Sequence, residues 1–309
     1  MSHAAPIPYP DARPTSPPPA ATPPLSADQR AQFDAIARIA HTEAALSILP
    51  EKAAVVFSRI GKRLRALGLP DAATYVALIE GPNGTQEREN LISALTTNVT
   101  SFFRENHHFE HFANQILPTL ERRARAGGRV RLWSAACSSG QEAYSLAMVI
   151  LEQFPEASRY DLRILATDVD RQILTAARAG IYPADLAEQI APARRKRFFN
   201  PAVGEHEIEA APELKSLIAF NRLNLMSNWP MTGRFDAIFC RNVMIYFDQG
   251  TQKKLIDRFA GVCSPGAALY LGHSERIDPA STRDFQQVGQ TTFTYLPNTE
   301  PGKSGPQQE

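Results

Sequence analysis

The sequence predicts an α/β protein: a small all-α domain followed by a mostly parallel sheet covered by helices. Three observations predict this. Residues 26–100 carry apolar side chains at helical spacing. After Gly127-Gly128, short apolar runs alternate with helical patterns, as in a parallel sheet wrapped by its crossover helices. Residues of about 186–222 break that alternation and read as an insertion.

Residues 1–25 form a proline-rich head. Nine prolines in its first 24 residues cannot bury a core, so disorder or polyproline II is expected. The helical domain spans 26–95. SADQRAQFDAIARIAHTEAAL opens with Ser26 and carries Gln29 three residues later, a capping-box spacing. EKAAVVFSRIGKRLRALGL places Val56, Ile60, Leu64 and Leu67 on one helical face. DAATYVALIE and ERENLISALTTN complete a bundle of four short helices. Lys52, Arg59, Lys62, Arg63 and Arg65 stand between Lys52 and Pro70 with no acid among them. They form either a solvated face or a docking face for an acidic partner. A linker, 96–127, contains TTNVTSFFRENHHF.

The α/β domain spans 128–297. RVRLWSAAC reads as a strand, SSGQEAYSLAMVILEQF as a helix, LRILATDVD as a strand and RQILTAARAGIY as a helix. The insertion holds a basic helix, PARRKRFF, then a hairpin-like run around EHEIEA and SLIAFNR. FDAIFC, QKKLIDRFAGVCS and ALYLGHSE resume the alternation. TTFTYLP reads as a late antiparallel strand at the sheet edge, and 298–309 as a disordered tail.

Composition narrows the function. Lys and Arg number 33 against 32 Asp and Glu, so net charge names no partner and argues against nucleic acid. No apolar run approaches 18 residues, and the N-terminus lacks a signal-peptide pattern. Cys137, Cys240 and Cys263 fit neither a disulfide framework nor a zinc site. The chain reads as cytoplasmic, with reduced thiols and no membrane insertion.

Ligands of open α/β sheets bind beyond the carboxyl ends of the strands. In CSSGQEAYS, Gly140 permits a close turn at the helix start. Glu142 either closes a capping box with Ser139 or faces a positively charged ligand group. Asp168 ends the second strand, where a carboxylate accepts from two ribose hydroxyls. Asp170 can cap the next helix in its place. Asn242 and Tyr246 follow FDAIFC, and Asn224 and Leu225 lie where the insertion rejoins the sheet. GxGxxG and the P-loop pattern are absent. A nucleoside ligand without polyphosphate follows, and S-adenosylmethionine fits.

TTNVTSFFRENHHF, LWSAACSSGQEAYSLAM, LATDVD, AGIY, FDAIFCRNVMIYFD and LGHSE occur in this order over residues 96–275. Together they closely resemble the CheR family of chemotaxis receptor methyltransferases, across about residues 26–297. The resemblance implies a Rossmann-like S-adenosylmethionine-dependent methyltransferase domain with a small inserted β-subdomain, preceded by an all-α domain. It implies esterification of glutamate side chains on the cytoplasmic domain of methyl-accepting chemotaxis receptors, with S-adenosylhomocysteine as product. It implies Asn98, Thr100, Arg104, Glu142, Asp168, Asn224, Leu225, Asn242 and Val243 as cofactor contacts, and Arg104 and Tyr246 beside the reacting methyl. Where the family often has STGEEPYS this chain has SSGQEAYS, so Glu142 keeps an acid and Gln141 replaces one.

An ionised glutamate needs no general base, so none is assigned to His107, His108, His111 or His273. Arg104 holds either the cofactor's or the substrate's carboxylate. Phe102 and Phe103 exclude water or anchor the linker to both domains. His107 and His111 are four apart, yet no HExxH or acidic third ligand accompanies them, and no metal is expected. The basic face, through Arg59, Lys62, Arg63 and Arg65, is expected to dock Glu-rich receptor helices. Some family members grip a receptor's C-terminal peptide through a glycine-rich loop of the inserted subdomain. Here that loop, NPAVGEHEIEA, has one glycine, so no tether is expected. The competing readings are a non-catalytic cofactor sensor and a methyltransferase with another substrate.

Overall fold

The computed structural model describes residues 25–96, 98–202, 204–278 and 284–297. The expectations for residues 1–24 and for the tail after Pro297 fall outside them.

The helical unit contains α1 (Ala27–Ala44), α2 (Ala53–Leu67), α3 (Ala72–Glu80) and α4 (Thr85–Leu95). The capping box at Ser26 and Gln29 forms as the spacing predicts. Phe33, Ile36, Val56, Ile60, Tyr75, Ile79 and Leu91 meet in its core. Beside them Glu87 is buried, and a buried carboxylate needs partners. Arg63 donates to it twice, at 2.8 and 2.7 Å. Tyr75 and Asn90 donate at 2.9 and 2.8 Å. Arg59 reaches the carbonyls of Ala94, Leu95 and Thr96, where α4 ends and its acceptors lack helical partners. Two members of the predicted basic face thus have partners within the fold. Arg59 and Arg63 serve the fold, while Lys62 and Arg65 remain exposed.

A short helix α5 (His107–His111) runs through a π-helical turn into α6 (Leu117–Arg125). Then follow β1 (Val130–Ala135), α7 (Gln141–Gln153), β2 (Leu162–Asp168), α8 (Arg171–Ala179) and β3 (Ile181–Pro183). Next come α9 (Pro192–Phe198), β4 (Phe199–Pro201), β5 (Glu207–Ala210), α10 (Pro212–Leu217) and β6 (Ile218–Arg222). The chain closes with β7 (Phe235–Cys240), α11 (Gln249–Val262), β8 (Cys263–Leu271), β9 (Phe285–Gly289) and β10 (Thr292–Tyr295).

The main sheet has the order β6-β2-β1-β7-β8-β10-β9. Its first five strands are parallel, and β10 runs antiparallel to both β8 and β9. The central strands are buried on both faces, which is why RLWSA and FDAIFC are nearly continuous apolar runs. Two sequence expectations change. SLIAFNR is no arm of an inserted hairpin: its Ile218–Arg222 pairs in parallel with Ile164–Asp168 as the sheet's first edge. TTFTYLP is antiparallel as predicted but not the edge, since β9 pairs outside it. The inserted sheet is β3-β5-β4, three antiparallel strands drawn from 181–210.

Candidate active site

The parallel strands end along one rim, and the polar segments after them close around a cavity. The linker residues 98–104 lie across it. Asn98, Thr100 and Arg104 from the linker, Glu142 from α7 and Asp168 from β2 all line this cavity. So do Asn224, Leu225, Asn242, Val243 and Tyr246 from the loops after β6 and β7. Every site residue expected from the sequence thus falls at one place. The helical unit contributes Ala44, Leu46 and Leu95 to the same wall.

Asp168 is almost fully buried. It accepts the Ser138 N–H at 2.8 Å and the Asp170 N–H at 3.0 Å. Burial still outweighs these bonds and, with the neighbouring Asp170, lifts its pKa to about 6. Asp170 caps α8 by accepting from Gln172 and Ile173, which leaves Asp168 facing the cavity.

Glu142 makes no capping box; α7 begins after Gly140 without a side-chain cap. Its carboxylate instead accepts from Ser134 at 2.6 Å and from Arg241 at 3.1 Å. Burial raises its pKa against the pull of Arg241.

Asn98 donates to Asp170 at 3.1 Å, and its carbonyl accepts from Ser138 at 3.1 Å. Asn224 accepts the Met226 N–H at 2.8 Å and donates to the Glu43 carbonyl at 3.0 Å. Arg104 donates to the Val99 carbonyl at 2.9 Å, folding the linker back on itself. The Tyr246 carbonyl receives the Ser47 N–H at 3.1 Å, joining the turn after β7 to the helical unit.

Phe102 packs edge-on against Tyr182 and Phe199, at 5.1 and 5.5 Å between centroids. Phe103 meets Phe109 at 5.4 Å and lies under the Arg194 guanidinium at 4.2 Å. The two rings thus anchor the linker to the inserted subdomain and to α5, rather than to the helical domain.

The histidines turn elsewhere. Buried His108 faces the Gln290 carbonyl and Thr291 hydroxyl, and burial holds its pKa near 3, so it is neutral. His111 meets the Tyr270 hydroxyl at 3.0 Å.

Sequence reasoning missed Glu105, Arg241 and Glu275. Glu275 accepts the N–H groups of Asn242 and Met244, at 2.9 and 2.7 Å, and so shapes the turn after β7. Arg241 is buried between Glu105 and Glu142. Glu105 and Arg241 each adjoin an expected site residue, Arg104 and Asn242, while Glu275 ends the LGHSE motif far from any of them in sequence.

The donor set fits S-adenosylmethionine. Asp168 offers a carboxylate for vicinal hydroxyls. Val99, Val169, Leu223, Leu225 and Val243 offer an apolar wall for a flat base. Arg104 and Glu142 offer opposite charges for a zwitterionic amino-acid end.

Residues 31–96 match the family model described as CheR methyltransferase, all-alpha domain. Residues 98–294 match CheR methyltransferase, SAM binding domain. The chain is 47% identical over 257 residues to a probable chemotaxis protein methyltransferase of Rhizobium etli, covering 82% of this chain and 96% of that protein. It is 38% identical over 267 residues to the chemotaxis protein methyltransferase of Klebsiella aerogenes, covering 85% and 89%. The chemotaxis protein methyltransferase of Escherichia coli K12 is likewise 38% identical over 267 residues, covering 85% and 90%.

Proposed function

Because the chain belongs to the CheR methyltransferase family and its cofactor is S-adenosylmethionine, we propose that it methylates glutamate side-chain carboxylates on methyl-accepting chemotaxis receptors. The products are glutamyl methyl esters and S-adenosylhomocysteine. The observation that carries this reading is the convergence of Arg104, Glu142, Asp168, Asn242 and Tyr246, from four separate segments, on one cavity.

S-adenosylmethionine supplies an electrophilic methyl group. A glutamate with pKa near 4.3 is ionised roughly 500-fold over its acid form at pH 7, so its oxygen needs no base. The engagement of His108 and His111 in the core accords with that. The protein's task is to position and desolvate, which can supply several kcal/mol. In this reading Asn98, Thr100, Asn224, Leu225 and Val243 contact the cofactor, and Asp168 takes its ribose hydroxyls. Glu142 takes a cationic group and Asn242 a polar edge. Arg104 holds a carboxylate through a charge-assisted contact, worth about 1.5–3 kcal/mol. Tyr246 orients the attacking oxygen or lines the methyl path.

Transfer from labelled S-adenosylmethionine to receptor-containing membranes, then mild alkali, tests the reaction. Label released as volatile methanol is expected for a carboxyl ester. Label that stays bound, or none incorporated with several receptors, refutes the assignment.

Docking is read as independent of a receptor peptide tether. Strand addition needs a free edge with backbone donors. The inserted sheet's edges, β3 and β4, have three residues each, and each ends in a proline, Pro183 or Pro201, which has no N–H. Titration with peptides copying receptor C-termini should give no binding at micromolar concentrations; saturable binding there would overturn this point.

A further inference from the structure

Glu105 follows Arg104 directly, yet its side chain leaves the linker and enters the wall behind the cavity. Its carboxylate receives the His273 ring Nδ1 at 2.9 Å and the His273 N–H at 3.2 Å. The Asn242 amide approaches it at 3.4 Å, and Arg241 pairs with it at 3.3 Å. Arg241 in turn donates to Glu142 and to the Arg104 carbonyl. One carboxylate therefore touches the loop after β7, the loop after β8 and, through Arg241, both the linker and α7.

The backbone makes the same point. Phe103 and Glu105 have φ of 53° and 54°, and Asn242 has 59°. Non-glycine residues in this left-handed region are strained, and such strain persists where surrounding contacts over-determine it. Phe103 is held by its N–H to the Ser145 hydroxyl at 3.0 Å. Glu105 is held by His273, Asn242 and Arg241, and Asn242 by Glu105 and, through its N–H, by Glu275. Next to them Glu105 Oε2 makes no hydrogen bond but faces Arg241 at 3.3 Å and His108 Nδ1 at 3.6 Å, and Arg241 Nε is buried without a hydrogen-bond partner among the described residues. This network is taut rather than saturated, so loss of one member leaves the others exposed to a large desolvation cost.

We propose that Glu105 is a positioning residue for the methyl-transfer site: its carboxylate locks Asn242 and Arg241 against the linker, so that Arg104, Glu142 and Asn242 face the cavity together. The inference rests on the assignment of this cavity to S-adenosylmethionine. It is independent of which carboxylate receives the methyl.

The test compares Glu105→Gln with the wild-type protein by calorimetric titration of S-adenosylhomocysteine, alongside Tm and steady-state kinetics. Glutamine keeps the size and removes the charge that holds Arg241. Affinity for S-adenosylhomocysteine should fall about tenfold, as when one partner of a buried charged hydrogen bond is lost. In kinetics kcat should fall while receptor KM stays within twofold. A merely structural role would lower Tm and leave the affinity of folded protein within twofold, and that result overturns the proposal. Should Glu105→Gln not fold, His273→Leu decides. The His273 side chain is 60% exposed, so its replacement spares the core while removing one donor to Glu105. A loss of about threefold in affinity supports the proposal, and unchanged affinity overturns it. Should receptor glutamate be the wrong acceptor, the methanol assay would fail while these affinities still moved.

Discussion

Asp168 is a residue whose environment works against its own charge. Burial raises its pKa to about 6, with Asp170 adding repulsion. The folded value lies above the unfolded one, so this group favours the folded state as pH falls from about 6 towards 3.8, and opposes it near neutrality. A carboxylate that must accept from ribose hydroxyls is thus ready above about pH 6 and increasingly protonated below it. Going from pH 7.5 to 5.5 should weaken S-adenosylhomocysteine binding about fourfold, the ratio of ionised fractions for such a pKa. Glu142 is also buried with a raised pKa, so the variant matters. Asp168→Asn should bind about tenfold more weakly at pH 7.5, having lost a charged acceptor, and should lack this pH dependence. Calorimetry at both pH values checks it; an equal dependence in the variant would assign the proton elsewhere.

Among the elements, those set by local chemistry were legible and those set by distant partners were not. Ser26 with Gln29, and Asp170 ahead of RQILTAA, announce helix starts because the capping partners lie within three residues. RLWSA and FDAIFC announce central strands because burial on both faces removes alternation. SLIAFNR has the same period as an inserted hairpin arm; only its pairing with β2, some 54 positions away, makes it the edge of the main sheet. Arg59 and Arg63 read as a free basic face because their partners, the end of α4 and Glu87, lie on another helix. Likewise the candidate site was legible where polar residues follow strands. Glu105 was not, because nothing local distinguishes a carboxylate that points away from its own segment.

At the scale of the molecule, the helical unit is fixed to the sheet beside the cavity. Arg222 pairs with Glu89 at 2.6 Å, Gln172 meets Asn90 at 2.7 Å and Ser93 donates to Asp170 at 2.8 Å. Arg59 of α2 reaches Leu95 and Thr96, which are themselves cavity residues. Further along α2, Lys62 and Arg65 stay exposed, within two turns of Arg59. An acidic receptor helix delivering a glutamate to the cavity would run over those two. Their reversal and that of Arg63 should have opposite signatures. Lys62→Glu with Arg65→Glu should raise receptor KM about tenfold at low salt, with the effect shrinking at high salt, while kcat, Tm and S-adenosylhomocysteine affinity hold. Arg63→Glu sets a second carboxylate against buried Glu87 and should cost about 3 kcal/mol, lowering Tm by roughly 6–12 °C. Kinetics against receptor membranes at two salt concentrations, with thermal denaturation of each variant, separate the two. An unchanged KM in the double variant at low salt would mean that this face is solvated and that receptor docking lies elsewhere.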